Sequence, residues 1–139
     1  MDTSVLVAGI SGFRTGTVPT SNPSAQLLRD WLERGTFTWL VSEEILDEYK
    51  TVLRRLKVRR ETIGLLVNLL REEAETVVLR ARRKISPDPA DDPFCACAED
   101  GAADFLVTLN PRDLPQAALA ARVLAPGTPL PARRGSKRR

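Results

Sequence analysis

An α/β domain built on a parallel sheet is the fold class the sequence predicts, and three observations predict it. Short β-branched or aromatic segments alternate with segments of helical period. The length of 139 residues suits one domain with a single core. Acidic residues stand at the ends of the apolar segments, at Asp2, Glu48, Asp91 and Asp104. Such positions lie where a parallel sheet covered on both faces places its sites, at the carboxyl ends of strands.

Asp2 precedes the apolar run Val5 to Ala8, and Thr3 and Ser4 between them offer hydroxyls to a neighbouring carboxylate or a metal-bound water. An N-cap role for Asp2 is the structural alternative. The first helix is expected over about 23–34, with Asn22 as N-cap, Pro23 at the first helical position, Leu27, Leu28, Trp31 and Leu32 at helical spacing, and Gly35 as stop. Thr36–Val41 reads as a strand closed by Ser42, the N-cap of a helix over about 43–56. Ile63, Leu66, Val67 and Leu70 predict a helix over 60–73, and Thr76–Leu79 a strand. Pro87, Pro89 and Pro93 keep the next segment a loop until a helix starts near Pro93 and ends near Gly101. Phe105–Thr108 is an apolar strand of the buried parallel kind, and Arg122–Ala125 an edge strand. Little order is expected past Pro126.

Composition narrows the function. No apolar run reaches the roughly 18 residues of a membrane span and no secretion signal opens the chain, so a cytoplasmic location is the default expectation. Cys95 and Cys97 are too few and too close for a disulfide framework or a four-ligand zinc site, and are expected to be buried, inert thiols. Five of the 21 basic residues fall in the last nine positions, leaving 16 against 18 acids, a net charge of −2 for the body. Within the body, Arg54, Arg55, Lys57, Arg59 and Arg60 form one basic cluster and Arg80, Arg82, Arg83 and Lys84 another, whereas 88–104 holds six acids. An acidic pocket flanked by basic surface suits a polyanion that meets bound metal; solvated helix faces are the plain alternative.

Each acid has its own argument. At about 100° per residue, Ile45, Leu46, Tyr49, Val52, Leu53 and Leu56 share an arc of roughly 120°, and Glu48 lies only about 40° outside it. A carboxylate at the margin of a buried stripe needs a partner, either a cation or an arginine such as Arg29, Arg54 or Arg55. Asp92, just before Pro93, is the natural N-cap, which leaves Asp91 without a structural explanation. Asp104 opens an apolar strand, where a turn acid is ordinary. Several like charges gathered at one sheet end cost free energy unless a cation shares the site. In a chain without histidine this points to a divalent ion with oxygen ligands and to phosphate chemistry.

Four segments, in order, carry a family resemblance: Met1–Val7, Ser42–Tyr49 with Val52-Leu53, Pro89–Ala98, and Ala103–Leu114. Together they resemble a PIN domain over roughly residues 1–126, with 127–139 as a basic, disordered tail. The likeness is to the bacterial and archaeal group of toxin components of toxin-antitoxin systems, kin of VapC-type toxins. It implies a three-layer α/β/α Rossmann-like fold with a parallel sheet of about four to five strands. It also implies a Mg²⁺- or Mn²⁺-dependent endoribonuclease, with RNA as substrate, a cognate antitoxin and a homodimer as expected partners. Asp2, Glu48 and Asp91 match the first three family acids and Asp104 the aspartate that commonly opens the last strand. These four are the expected metal ligands and catalytic residues. Ser4, Asp92, Thr108 and Asn110 are secondary candidates, with Asn110 standing where many members carry a fourth acid and Asp113 nearby. Arg54, Arg55, Arg59 and Arg60 are the expected RNA contacts.

The first family acid ends a strand, yet only Met1 precedes Asp2. The expectation is that the recorded start lies inside the true reading frame and that Asp2 is loosely held. Two rival readings follow: a nucleic-acid-binding module without catalysis, and a protein-binding module using Trp31, Trp39 or the helices of 43–73.

Overall fold

The computed structural model describes residues 1–14, 22–80 and 84–130. Arg82 and Arg83 of the second basic cluster, and the tail from 131 onward, lie outside them. The architecture is α/β, with helix more abundant than strand. In chain order its main elements are α1 (Thr3–Arg14), α2 (Pro23–Arg34), β1 (Leu40–Val41), α3 (Glu43–Arg55), α4 (Arg60–Glu73), β2 (Glu75–Thr76), α5 (Asp92–Asp100), β3 (Phe105–Val107) and β4 (Arg122–Leu124).

Helix α1 was not among the sequence expectations. The Asp2 carbonyl accepts from Val5 and Leu6 N–H to open it, and its form is settled by packing rather than propensity. A Cβ on Gly9 would come within 2.4 Å of Leu28 Cδ1 and 3.1 Å of the Ser24 carbonyl, so only glycine lets α1 lie this close to α2. Asn22 locks the pair, accepting from Ala25 N–H as N-cap of α2 while its amide donates to the Ala8 carbonyl at 3.0 Å. Gly35, at φ 57°, ends α2 in the left-handed conformation that favours glycine.

Ser42 caps α3 as expected, its hydroxyl accepting from Ile45 N–H. Helices α3 and α4 pack together, tied at the rim by Arg71 and Glu43. Below them a file of aromatic rings runs through the core, with Trp31–Trp39, Trp39–Tyr49 and Tyr49–Phe94 centroids 4.8, 6.3 and 6.0 Å apart. Such pairs contribute roughly 0.5–1.5 kcal/mol each beyond area burial. Trp31 and Trp39 are therefore core residues and not an exposed partner surface. Cys95 and Cys97 are buried and free. Burial first, then nearby acids, pushes the Cys95 thiol up to about 12; burial pushes Cys97 up to about 11.

The sheet departs most from expectation. In place of a continuous sheet of four to five strands, the described residues hold two separate parallel pairs, β1 with β2 and β3 with β4. The strands are also shorter than read: 40–41 for 36–41, 75–76 for 76–79, 105–107 for 105–108. Helix α5 packs against both β1 and β3, and Met1 lies in the gap between them. No strand precedes Asp2 in the described residues. Past Pro126 the chain forms a turn, with Thr128 N–H bonded to the Ala125 carbonyl and Gly127 at φ 90°.

Candidate functional site

Asp2 is the best-defined acid of the molecule. Its N–H donates to the Val107 carbonyl at 2.8 Å, which anchors it at the carboxyl end of β3. The hydroxyls of Ser4 and Thr108 both donate to its Oδ2, each at 2.8 Å. Both hydroxyls are themselves fixed, since Ser4 Oγ accepts from Leu109 N–H and Thr108 Oγ1 from Asn110 N–H. Thr108 is buried. Contrary to expectation, Asp2 is held firmly, and no described hydrogen bond engages its Oδ1. Beside it, the Thr3 hydroxyl is buried without a partner among the described residues.

Asp91 reaches the site by an unexpected route. A 3-10 turn at Pro89–Asp91, capped by Asp88 through Ala90 N–H, runs directly into α5. Asp92 is therefore not the N-cap. Its Oδ1 accepts from Ile85 and Ser86 N–H at 3.0 and 2.7 Å and pins the preceding loop. Asp91 makes no capping bond at the start of α5. Burial first, then the charges of Asp2, Asp88, Asp113 and Asp92, pushes its carboxyl up to about 6. Asp91 thus stands among uncompensated like charges.

Glu48 is half-buried on α3 and has no ion pair among the described residues, so the arginine partners weighed for it are not engaged. The next residue, Tyr49, donates its hydroxyl to the Met1 carbonyl, which joins this turn of α3 to the residue beside Asp2. Glu43 and Asp47 face solvent, paired with Arg71 and Lys50.

Asp104 is not brought to Asp2. Its carbonyl accepts from Arg122 N–H where β3 begins, and it lines the gap between β1 and β3. Thr108 lies four residues further on, about 13 Å at the strand rise of roughly 3.3 Å per residue. From this part of the chain the acid that does bear on Asp91, after Asp2 and Asp88, is Asp113, in the 3-10 turn Pro111–Asp113 that follows Asn110. In the sequence Asp113 is only a neighbour and Asp104 is the expected supplementary acid, on its likeness to the family aspartate that opens the last strand. Asn110 itself is exposed.

The donors are carboxylates and hydroxyls, the oxygen set that hard divalent cations take, and the raised Asp91 carboxyl marks a place where positive charge is lacking. Among the described residues no three carboxylate or thiol side chains come close enough to form a ready-made metal cluster. Magnesium commonly binds through one or two carboxylates and keeps several waters, so the set fits the ion without a closed cage.

A parallel α/β scaffold that anchors a carboxylate at the carboxyl end of β3 puts it where open α/β folds place their sites. The family is set by the sequence itself: the PIN domain family matches residues 1–112, and the chain belongs to it. PIN domains are generally nucleases and typically use divalent metal ions. No curated protein and no solved structure matches the chain.

Proposed function

We propose that the chain is a divalent-metal-dependent endoribonuclease that hydrolyses RNA phosphodiester bonds, with residues 1–126 as its nuclease domain on a three-layer α/β/α arrangement. The observation that carries this reading is the pairing of Asp2, fixed through one oxygen by Ser4 and Thr108, with Asp91, whose carboxyl is raised by its acidic neighbours. Asp2 and Asp91 hold Mg²⁺ or Mn²⁺, with Glu48 completing the set from α3 and Asp113 taking the auxiliary place first given to Asp104. Held by these carboxylates, a divalent ion would supply a lowered pKa for an attacking water and an offset to the charge on the phosphate. A flanking carboxylate would accept the proton of the attacking water. Arg54, Arg55, Arg59 and Arg60, exposed at the end of α3 and the start of α4, follow the RNA backbone. We further propose the toxin role, with an antitoxin and a second copy of the chain as partners. No helix among the described residues is long and apolar enough to cross a membrane.

The test is cleavage of single-stranded and structured RNA with Mg²⁺, with Mn²⁺ and with chelator. Metal-dependent cleavage that Asp91→Asn removes, with the circular dichroism spectrum unchanged, is the expected result; cleavage that survives chelation or the substitution sinks the proposal. The lack of a closed carboxylate cluster among the described residues, together with Asn110, favours a second reading, a nucleic-acid-binding PIN module without catalysis. RNA binding with no Mn²⁺ uptake by calorimetry would select it.

A further inference from the structure

Strand β2 is paired on one side, with β1, where Glu75 N–H donates to the Trp39 carbonyl and Val77 N–H to the Val41 carbonyl. Strand alternation therefore turns the N–H and C=O of Thr76 and Val78 outward, and none of these four groups has a backbone partner among the described residues. The side chains alternate as well. Val77 packs inward, so close to Gly101 that a Cβ there would meet it at 2.9 Å, whereas Val78 is 85% exposed, more than any other large apolar residue described. An open edge invites another strand unless a charge or a proline guards it, and Thr76 to Leu79 carries neither. Charge indicates which strand it invites. The segment is acidic before its apolar centre, with Glu72, Glu73 and Glu75, and basic after it, with Arg80, Arg82, Arg83 and Lys84. Two copies laid antiparallel set each acidic end against the basic end of the other, whereas a parallel pairing sets like against like.

We infer that the outer edge of β2 is a self-complementary interface, at which a second copy of this chain pairs antiparallel and continues the sheet from one β2 into the other. The register follows from the outward groups. With Val77 facing Val77 of the partner subunit across a two-fold axis, Thr76 stands opposite Val78 of the partner subunit, and the two equivalent pairs close four N–H to C=O bonds. A slip one way would call on Ala74, whose N–H is spent on the Leu70 carbonyl at the end of α4. A slip the other way would call on Arg80, whose N–H is spent on the Asp100 carboxylate. In the register that remains, Arg80 stands opposite Ala74 of the partner subunit, between Glu73 of the partner subunit and Glu75 of the partner subunit. Glu73 and Glu75 have no ion pair among the described residues, and the bond of Arg80 to Asp100 leaves the arginine side chain 77% exposed. The second basic cluster, which the nuclease reading leaves unused, thereby gains a counterpart. The inference supplies the surface for the second copy proposed above and rests on no step of the nuclease chemistry.

The experiment is sedimentation velocity over a concentration series, with residue-resolved amide exchange at its two ends, on the chain and on two variants. Val78→Lys places a charge on the edge, and Thr76→Pro deletes an outward N–H that the ladder with β1 does not use. The unsubstituted chain is expected to dimerise, with exchange at Thr76 and Val78 slowed at least tenfold in the dimer. Each variant is expected to weaken the dimer at least tenfold while melting, as a dilute monomer, where the parent monomer does. A dimer that leaves Thr76 and Val78 unprotected, or that survives both substitutions, overturns the inference and leaves a dimer through another face. A chain that stays monomeric throughout overturns the inference and the proposal of a second copy together. Protection of Thr76 and Val78 by an added peptide of unrelated sequence, with the chain itself monomeric, overturns it in favour of a foreign strand.

Discussion

Thr108 and Ser4 donate to one and the same oxygen of Asp2, and the two hydroxyls come from positions 104 residues apart in the chain. The carboxylate is thereby turned so that one oxygen is occupied by protein and the other is left for a ligand. Replacing Thr108 by Val removes one of these bonds at a buried position, at a cost of about 1–3 kcal/mol for a partner left unsatisfied. Activity is expected to fall with it, because Asp2 loses its orientation, whereas Thr108→Ser should keep most of both. Cleavage rates alongside urea midpoints for the two variants test this; equal rates in both would remove the positioning role.

Asp91 predicts an unusual dependence of stability on pH. Its folded pKa, about 6, lies above the ordinary 3.8, so the folded state binds the proton more tightly than the unfolded state does. The associated stability is present in full below about pH 4 and is lost as pH rises through about 6. In chelator, Asp91→Asn is therefore expected to melt above the parent at pH 7 and to lose that advantage near pH 4. Paired melting curves at the two pH values check the sign, and divalent metal should narrow the gap at pH 7.

Cys95 and Cys97 are expected to resist alkylation in the folded protein. Thiols pushed up to about 12 and about 11 are almost wholly protonated at pH 8, and both are buried. Iodoacetamide labelling followed by mass spectrometry should show at least a hundredfold slowing against the unfolded chain. Fast labelling of either would show that α5 opens readily.

Gly9→Ala should destabilise the fold by about 1–3 kcal/mol through overpacking, since the added methyl meets Leu28 and the Ser24 carbonyl. Gly64→Ala, where nothing lies within 4 Å, should instead be neutral or mildly stabilising, because alanine forms helix better by up to about 1 kcal/mol. A chemical-denaturation series on the two variants reads the contrast directly.

The helices with local signals were legible in the sequence. Asn22-Pro23 and Ser42 are caps whose chemistry is contained within four residues, and α2, α3 and α4 begin where these and the apolar spacing put them. Helix α1 was not legible, because Val5-Leu6-Val7 has the composition of a strand and its helical form depends on Gly9 meeting Leu28, a contact between elements. Strand lengths were overestimated for a related reason: β-branched composition marks what suits a ladder, and pairing decides how much of it is used. Of the site, Asp2 and Asp91 were read from positions that local structure explained poorly. The reversal at Asp92 came from a 3-10 turn that extends α5 backwards, so that the aspartate before Pro93 is spent on the loop of Ile85 and Ser86. That Asp104 lies at the far end of β3 from Asp2 was not legible, because which end of β3 faces Asp2 depends on pairing in three dimensions.

The bond from Thr108 to Asp2 also sets a schedule. It closes a loop of 106 residues, which on a flexible-chain estimate costs about 4 kcal/mol of entropy before any contact rewards it. A ribosome making this chain must pass residue 108, and clear it from the exit tunnel, before the Asp2 carboxylate can be held by Thr108. Shorter nascent chains have the acid without its clasp. Whatever chemistry the site performs is thus withheld until residue 108 has been made and has emerged.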